Sequence, residues 1–358
     1  MNAAEKSYDS IKQSKSTSSA VQPPFDVDHL HKLECGRQDE ESFYAKLPSK
    51  SVEPLWLDLA RYVTPSPSPS ASVAVWRFSE IRPLLMEAGR LVSVEEAERR
   101  VLMLVNPSLK APCTTDTIYG GLQLVLPGET APAHRHVAFA LRFIIEGSRG
   151  FTAVEGEKIM MQRGDIILTP SWNWHDHGNE GTEPVIWLDG LDLPIFRLLK
   201  LNFASSYPEP RYPSRVSDQS TSQFPWAPVE KALQEITGVY AQYHYRFEDG
   251  RHLSQTLSAQ AERISAQKSS PEMQSTLSFM YHVVDGEGYS TILSPDSDQP
   301  HNITWSSKDT FAVPAWSRIS HTCTMKKGDA FLVGINDRPI VESLGLFRDA
   351  SAFSTVVR

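Results

Sequence analysis

The chain of 358 residues is 40% hydrophobic and 22% charged, which is ordinary for a globular protein with one large or two medium domains. Its net charge of −8 and pI near 5.8 argue against a nucleic-acid-binding surface, whose footprint is a basic patch. No stretch reaches the roughly 18 to 20 apolar residues of a membrane helix, and the N-terminus lacks the apolar core of a secretory signal. We therefore expect a cytoplasmic protein without nucleic-acid or membrane partners.

The N-terminal part of the chain reads as an arm followed by helices. Residues 1–40 are polar and serine-rich without sustained periodicity, which predicts a flexible N-terminal arm. The next segment, ESFYAKLPSKSVEPLWLDLARYV, indicates a short helix, a turn and a second helical piece. Alternating Pro and Ser in residues 64–72 predict an extended surface loop. Apolar residues at helical spacing then lead into a strand at RRVLMLV.

From Tyr119 the sequence changes to short apolar runs separated by Gly, Pro and Asn, a pattern typical of β-sandwiches and barrels. A second such stretch begins near Leu277, and MYHVVDGEGYSTIL in it parallels the earlier LRFIIEGSRGFTAV. We interpret this as an internal duplication of a small barrel, the alternative being one irregular β-domain with chance similarity. The prediction is an N-terminal barrel with its helical lead-in at 41–205, a connecting segment at 206–265 and a C-terminal barrel at 266–358.

Three histidines in the first barrel are candidates for a metal site. His134 and His136 are two residues apart in a predicted strand, so their side chains project to the same side, about 7 Å apart along the chain. His175 follows a strand that ends at Pro170. Three imidazoles leave up to three open positions on an octahedral ion, which favours Fe(II), although three-histidine catalytic zinc stays possible.

The histidines lie in long motifs that resemble a known family. APAHRHVAFALRFIIEG, GDIILTPSWNWHDHGN and WLDGLDLP are similar to the gentisate 1,2-dioxygenases, a family that includes salicylate and 1-hydroxy-2-naphthoate dioxygenases. The similarity runs from about residue 43 to about residue 347. It implies an all-β bicupin, with two double-stranded β-helix (jelly-roll) barrels, a few flanking helices and one Fe(II) per chain in the N-terminal barrel. It also implies a homotetramer to which the N-terminal arm contributes.

The residues after the second histidine depart from the general cupin pattern. Many cupins have a glutamate four or five residues further on, where this chain has Ala140 and Leu141. Their loss leaves a three-histidine site in which a substrate carboxylate can take the missing position. If strand alternation continues from His134, Arg142 points inward and can bind that carboxylate. The alternative is a structural ion pair between Arg142 and an internal acid.

Two further residues of the first barrel are expected in the pocket. His177, two residues beyond His175, could bond the oxygens of the reaction or have only a supporting or solvent-exposed role. The resemblance implies that Asp189 accepts a proton from a ring hydroxyl para to the metal-bound one. The alternative for Asp189 is a helix or turn cap.

Candidate substrate contacts come from two neighbouring segments. Tyr119, Gly121 and Gln123 alternate onto one side of a strand, where the bare Gly121 would let an aromatic ring approach the backbone. Arg99 and Arg100 match a family position proposed to touch the substrate, and the sequence leaves open which of the two turns inward. A solvated arginine pair is the alternative.

The second barrel differs at every ligand position. SSPEMQSTLSF stands opposite the histidine pair and Ile319 opposite His175, so we expect a metal-free, structural C-terminal barrel. The resulting hypothesis is an enzyme that opens gentisate (2,5-dihydroxybenzoate) between C1 and C2 with O2 to give maleylpyruvate. The alternatives are a salicylate or 1-hydroxy-2-naphthoate 1,2-dioxygenase, or a cupin that binds a ligand without catalysis.

Overall fold

The structure is a computed structural model that describes residues 37–350. The predicted N-terminal arm therefore lies outside the described residues, except for 37–40. Residues 37–66 belong to one compact unit and residues 67–350 to a second. The first unit contains the two predicted helical pieces, α1 (Arg37–Lys46) and α2 (Leu55–Tyr62), with a 3-10 turn between them at Pro48–Lys50.

The second unit begins with a mixed segment and continues into the first barrel. The lead-in elements are β1 (Ala74–Trp76), α3 (Phe78–Leu91), α4 (Val94–Ala97) and β2 (Val101–Met103). The strands of the first barrel that follow are β3 (Tyr119–Val125), β4 (Thr130–His136), β5 (Ala140–Glu146), β6 (Gly150–Val154), β7 (Glu157–Met160), β8 (Ile166–Thr169), β9 (His175–Asn179) and β10 (Val185–Leu191).

The segment after the first barrel contains short elements: α5 (Leu193–Leu198), β11 (Ala204–Ser206), β12 (Arg215–Val216), β13 (Gln223–Phe224), α6 (Trp226–Glu235) and β14 (Tyr240–His244). The remaining elements are β15 (Ser258–Ile264), β16 (Met273–Gln274), β17 (Phe279–Asp285), β18 (Glu287–Leu293), β19 (His301–Ser306), β20 (Thr310–Val313), β21 (Arg318–Cys323), β22 (Ala330–Asn336) and α7 (Arg338–Ser343). Among residues 37–350, no helix has the length and apolar character that a membrane span requires.

The sheets confirm the predicted duplication. One sheet of the first barrel has the strand order β13-β8-β5-β10-β3-β2, and the matching sheet of the second barrel has the order β1-β20-β17-β22-β15-β14. The opposing sheets contain β4-β9-β6-β7 and β16-β21-β18-β19, again in the same relative order. Each barrel is therefore a double-stranded β-helix made of two facing sheets, as the sequence predicts.

Strand pairing crosses the predicted domain boundaries. β1, from the lead-in to the first barrel, pairs with β20 of the second barrel. The segment 206–265, expected to be a connection, contributes β13 to the first barrel and both β14 and β15 to the second. The precise division of the chain into domains stays a prediction, but these strands show that each barrel uses sequence from beyond its own repeat.

The two barrels share one hydrophobic core. Leu122 and Phe143 of the first barrel belong to the same buried cluster as Met280 and Val333 of the second. β3 and β22 are buried along their whole length, because each has one face toward this shared core and one toward its own barrel interior. Residues that alternate with the apolar ones, such as Arg142 between Leu141 and Phe143, are thereby directed into the barrel, where the candidate site lies.

Candidate active site

Three histidine side chains meet inside the first barrel. His134 on β4 pairs directly with His175 on the neighbouring strand β9, and His136 ends β4. The rings of His134 and His175 have centroids 4.1 Å apart, and a ligand nitrogen from each of the three residues lies within 4.8 Å of the others. This is the predicted triad, and among residues 37–350 no other three potential ligands converge in this way.

The backbone orients all three rings. His134 Nδ1 bonds the Pro132 carbonyl at 3.0 Å. In the same way His136 Nδ1 bonds the Ala138 carbonyl at 2.8 Å, and His175 Nδ1 bonds the Asn173 carbonyl at 2.9 Å. Because a carbonyl can only accept, each Nδ1 must carry the proton, which leaves each Nε2 as a bare lone pair. Such carbonyl partners are typical of metal-binding histidines.

The protonation behaviour of the triad also fits a metal. Burial lowers the pKa of His134 to about 2 and that of His136 to about 4, and it holds the pKa of His175 well below its usual range. Neutral imidazoles are the form that binds a cation. The His175 Nε2 atom is buried and has no hydrogen-bond partner among the described residues. A metal ion would satisfy that nitrogen, so the donor set fits a divalent transition metal.

Arg142 points into the barrel, but not because the strand alternation continues from His134. β4 ends at His136 and β5 begins at Ala140, and the two strands belong to different sheets, so alternation does not continue between them. Arg142 is nevertheless only 3% exposed. Its Nη1 donates to the Thr169 hydroxyl at 2.5 Å, and its Nε lies 3.3 Å from Oδ1 of Asp189.

Asp189 faces both Arg142 and the candidate substrate strand. It sits in β10 directly between Arg142 on β5 and Gly121 on β3. Oδ1 of Asp189 accepts a hydrogen bond from the Trp187 indole at 3.0 Å. Burial raises its pKa to about 6, against the opposing effect of the Arg142 charge. The carboxylate is thus largely ionised at neutral pH and close to protonation, which suits an acceptor of a phenolic proton.

Tyr119, Gly121 and Gln123 occupy the same face of β3, as predicted. A Cβ on Gly121 would meet the Tyr119 hydroxyl at 2.6 Å, so only glycine leaves room for that ring. Burial, with the charge of Asp189, raises the pKa of Tyr119, so its hydroxyl stays protonated. Gln123 is 2% exposed, and its Nε2 has no partner within residues 37–350. Its amide is therefore a donor available inside the barrel.

Three comparisons place this geometry among known proteins. Residues 121–191 match the model of the cupin domain. The chain is 34% identical over 345 residues to gentisate 1,2-dioxygenase 1 of Aquipseudomonas alcaligenes, covering 87% of this chain and 96% of that protein. It is 31% identical to the 5-aminosalicylate 1,2-dioxygenase of a Comamonas species, with 87% and 90% covered. The chain belongs to the gentisate 1,2-dioxygenase family.

A solved structure agrees with this assignment. The crystal structure of the salicylate 1,2-dioxygenase of Pseudoaminobacter salicylatoxidans with gentisate superposes with a TM-score of 0.78 at 26% identity, covering 94% of this chain and 97% of that one. The bicupin architecture predicted from the motifs is therefore confirmed. The protein is a ring-cleaving dioxygenase of the gentisate and salicylate type, with a histidine triad able to bind a metal in its N-terminal cupin.

The structure separates the two neighbouring arginines of this dioxygenase. Arg100 lies in an ion pair with Glu129, at 2.8 Å, and also donates to the Val92 carbonyl. The charge of Arg99 instead acts on the site. It contributes to lowering the pKa of His134, and it opposes the rise in the pKa of Asp189. Its Nε is buried without a hydrogen-bond partner among the described residues. Of the two arginines, Arg99 is thus the one whose charge acts on the site, while its Nη1 lies 4.0 Å from Glu98.

His177 is completely enclosed beside the triad of the dioxygenase. Its ring centroid lies 5.6 Å from that of His175, and its Nδ1 shares a hydrogen bond of 2.9 Å with the Thr152 hydroxyl. Burial and the charge of Arg142 keep its pKa well below the usual range, so the ring is neutral. Thr152 and Thr169, the partners of His177 and Arg142, are two site residues that the motifs did not indicate, and both are buried.

An aromatic clasp on the outer side of β4 was also missed. Arg135, which lies between two ligands, stacks between Trp172 and Trp174, with its guanidinium carbon 4.4 and 4.3 Å from the two rings. The amide of Trp172 donates to the His136 carbonyl at 2.8 Å. This clasp fixes the strand that carries His134 and His136 against the loop before His175. The tryptophan-rich run SWNW was the available signal.

Proposed function

We propose that the protein is an Fe(II)-dependent gentisate 1,2-dioxygenase. The observation that carries this proposal is the buried Asp189 inside the barrel, paired in register with Gly121 on one side and with Arg142 on the other, whose Nε lies 3.3 Å from its carboxylate. Gentisate carries a carboxylate, a 2-hydroxyl and a 5-hydroxyl on one ring. The pocket offers a distinct partner for each of these groups, whereas salicylate would leave the buried carboxylate of Asp189 without a hydroxyl to bind.

His134, His136 and His175 would hold the iron through their Nε2 atoms. When bound there, Fe(II) supplies a centre that can coordinate the carboxylate and phenolate of an aromatic acid and activate O2. Because positions 140 and 141 carry Ala140 and Leu141 and no glutamate, the protein supplies only three neutral ligands. A dianionic substrate is therefore not repelled by a carboxylate of the protein at that centre.

The charged residues of the barrel would bind and orient the ring. Arg142 and Arg99 carry positive charge beside the triad and can neutralise the substrate carboxylate and phenolate. The buried amide of Gln123 has no partner among the described residues and is a donor available to the ring substituents. Tyr119 closes the pocket over Gly121 and limits entry of water.

Asp189 would take the proton of the 5-hydroxyl. Removing that proton increases electron density at the ring carbons that react with oxygen. The neutral His177, whose Nδ1 is bonded to Thr152, would donate to oxygen as negative charge develops there. In the overall reaction the C1–C2 bond is cleaved, each of these two carbons gains one atom of O2, and the product is maleylpyruvate.

Oxygen uptake by the Fe(II)-loaded protein tests this assignment. Gentisate, salicylate and 1-hydroxy-2-naphthoate are compared under identical conditions, with the ring-opened product identified by mass. We expect gentisate to exceed salicylate in kcat/KM by roughly a hundredfold, the size of a lost general-base contact. Uptake with salicylate as fast as with gentisate would replace the proposal by a relaxed salicylate-type dioxygenase, and no uptake with any of the three would indicate a non-catalytic ligand-binding cupin.

The homotetramer and the cytoplasmic location expected from the sequence remain part of this proposal. Sedimentation of the purified protein would measure its assembly directly.

A further inference from the structure

The second barrel contains a cavity of about 390 Å³. Met273 and Ile319 line it, and they pair across β16 and β21 as His134 and His175 pair across β4 and β9. The cavity thus occupies the place in the second barrel that the histidine triad occupies in the first. Its volume lies within the roughly 300 to 1,000 Å³ typical of small-molecule pockets.

The walls of this cavity combine an apolar part with two buried donors that have no partner among the described residues. The apolar part is formed by Met273, Leu277, Phe279, Val313, Ile319 and Phe347. Ser317 also lines the cavity and is 4% exposed, and its hydroxyl has no hydrogen-bond partner among the described residues. Nε of Arg338, which also lines the cavity, likewise has no hydrogen-bond partner among the described residues. Buried donors without an acceptor cost free energy, which a ligand oxygen would recover.

Several other polar groups of the cavity already have hydrogen-bond partners. Gln260 and Tyr281, which contribute to the lining, both donate to Oε1 of the buried Glu262, at 2.6 and 3.1 Å. The Arg338 Nη1 donates to Glu342 at 2.8 Å. Ser317 and the Nε of Arg338 are therefore the buried donors of the lining that have no partner among the described residues.

The charge around the cavity disfavours an anion. Glu342 balances the charge of Arg338, the one arginine among the described residues of the lining. The lining carboxylate of Glu272 lies 3.7 Å from Arg318, so no cation of the described lining is left without a carboxylate. Burial, with the charges of Arg338 and Arg246, lowers the pKa of His244 in the wall, so this ring adds no positive charge at neutral pH. The site is therefore unlike the first barrel, where the charges of Arg99 and Arg142 act on the triad.

We propose that the second barrel binds a small uncharged aromatic compound with a carbonyl or amide oxygen, without a metal and independently of the histidine triad. The aromatic ring would pack against Phe279, Ile319 and Phe347. Its oxygen would accept from Ser317 and Arg338. The positions of the metal ligands carry Met273, Ser275 and Ile319, which together cannot form a site for an iron ion.

Benzamide is a suitable probe, because it is neutral and lacks the adjacent hydroxyl and carboxylate that a metal would chelate. Its binding to the full-length Fe(II)-loaded protein is measured anaerobically by calorimetry. We expect saturable binding of one equivalent that is unchanged in His134→Ala. Ile319→Trp, which fills the cavity, should weaken binding at least tenfold, and Ser317→Ala should weaken it severalfold, with thermal unfolding used to confirm that both variants fold.

Benzoate tests the charge argument in the same experiment. Its Ile319-dependent binding should be at least tenfold weaker than that of benzamide. The proposal is wrong if benzamide does not saturate the wild-type protein, if neither Ile319→Trp nor Ser317→Ala affects binding, or if benzoate binds the cavity better. It is also wrong if benzamide binds only after removal of residues 351–358, because the chain's own C-terminus would then be the occupant.

Discussion

At the scale of residues, the site depends on side chains held by partners that the sequence does not reveal. Each ligand histidine has its Nδ1 bonded to a carbonyl two residues away in the chain. Arg142 is positioned by Thr169 and Asp189. The two interpretations of Arg142 weighed from the sequence are thus compatible, because the internal ion pair orients the arginine beside the triad without using all of its donors.

Replacement of a ligand should remove the metal and the activity together. We expect His175→Ala to lose stoichiometric iron and to reduce oxygen uptake with gentisate by roughly a hundredfold or more, since two imidazoles no longer define the site. Metal analysis and oxygen uptake on the same sample measure both effects. His301→Ala, a change of an exposed histidine, is the control and should keep its iron. An iron-free His175→Ala with full activity would contradict the role of the triad.

Asp189→Asn tests the proposed proton acceptor. The variant should lose roughly a hundredfold in kcat/KM for gentisate, while its residual activity on salicylate, which has no 5-hydroxyl, changes much less. Arg142 loses its ionic partner in the variant, so thermal unfolding must be measured as well. An equal loss for both substrates would show that Asp189 acts only through the position of Arg142.

Arg99 and Arg100 form a matched pair of variants. Arg99→Ala should raise KM for gentisate with little change in stability, because this guanidinium has no ion pair inside the barrel. Arg100→Ala should instead leave KM nearly unchanged and lower the stability by about 3 kcal/mol, the typical cost of breaking a buried pair. Steady-state kinetics and urea unfolding distinguish the two residues, and the reverse pattern would invert their assignment.

At the scale of elements, the two repeats are tied together by a reciprocal pair of aspartates. Asp192, after β10, accepts from the Phe139 amide and from the Thr256 hydroxyl before β15. Asp337, after β22, accepts in the same way from the Ser278 amide and the Thr117 hydroxyl before β3. Each repeat thus supplies one carboxyl group to a threonine of the other.

These aspartates should make stability depend on pH. Burial raises the pKa of both Asp192 and Asp337 to about 6. Since an unfolded aspartate titrates near pH 3.9, the folded protein binds more protons between these values, and stability rises as pH falls from about 7 toward 4. Asp192→Asn/Asp337→Asn keeps an acceptor at each site and removes this dependence.

Urea unfolding between pH 4.5 and 7.5 measures this effect. Relative to the wild type, the double variant should be most stable at pH 7.5, and its relative stability should decline by about 4 kcal/mol toward pH 4.5, about 2 kcal/mol for each carboxyl group. Asp298→Asn, in an exposed turn, serves as the control and should show no such trend. A constant difference across the range would mean that the two carboxyl groups do not titrate in this window.

At the scale of the whole molecule, the barrels are joined by a core that neither repeat could form alone. Gly190 of the first barrel lies against Ile335 of the second, and a Cβ added at Gly190 would stand 2.7 Å from the Ile335 Cδ1. β1 and β13 also pair outside the repeats in which they occur along the chain. The site in the first barrel therefore depends on the packing of the second.

A double-mutant cycle measures this dependence. Gly190→Ala should destabilise the protein by about 1 to 3 kcal/mol through overpacking, and Ile335→Ala by about 2 to 5 kcal/mol through a cavity. The double variant should be less destabilised, by about 1 kcal/mol, than the sum of the two single effects, because the space left by Ile335→Ala accommodates the Cβ added at Gly190. Thermal unfolding followed by calorimetry provides the values, and strict additivity would show that the barrels do not pack tightly at Gly190.

The sequence by itself determined the repeat, the histidine triad and the resemblance to the family, because all three are written in local spacing and in long motifs. It did not reveal β15 as a strand. That strand carries Gln260, Glu262 and Arg263, which look exposed in the sequence but are buried by partners distant in the chain.

Tertiary structure alone decided which polar residues face inward. Arg99 and Arg100 are adjacent and identical in the sequence, yet one pairs with Glu129 and the other lies near the triad, because the strand beginning at Val101 fixes their directions. The same applies to Asp189, whose environment comes from two neighbouring strands. Local spacing specifies metal ligands, whereas the charge and protonation of a pocket are set by groups that only folding brings together.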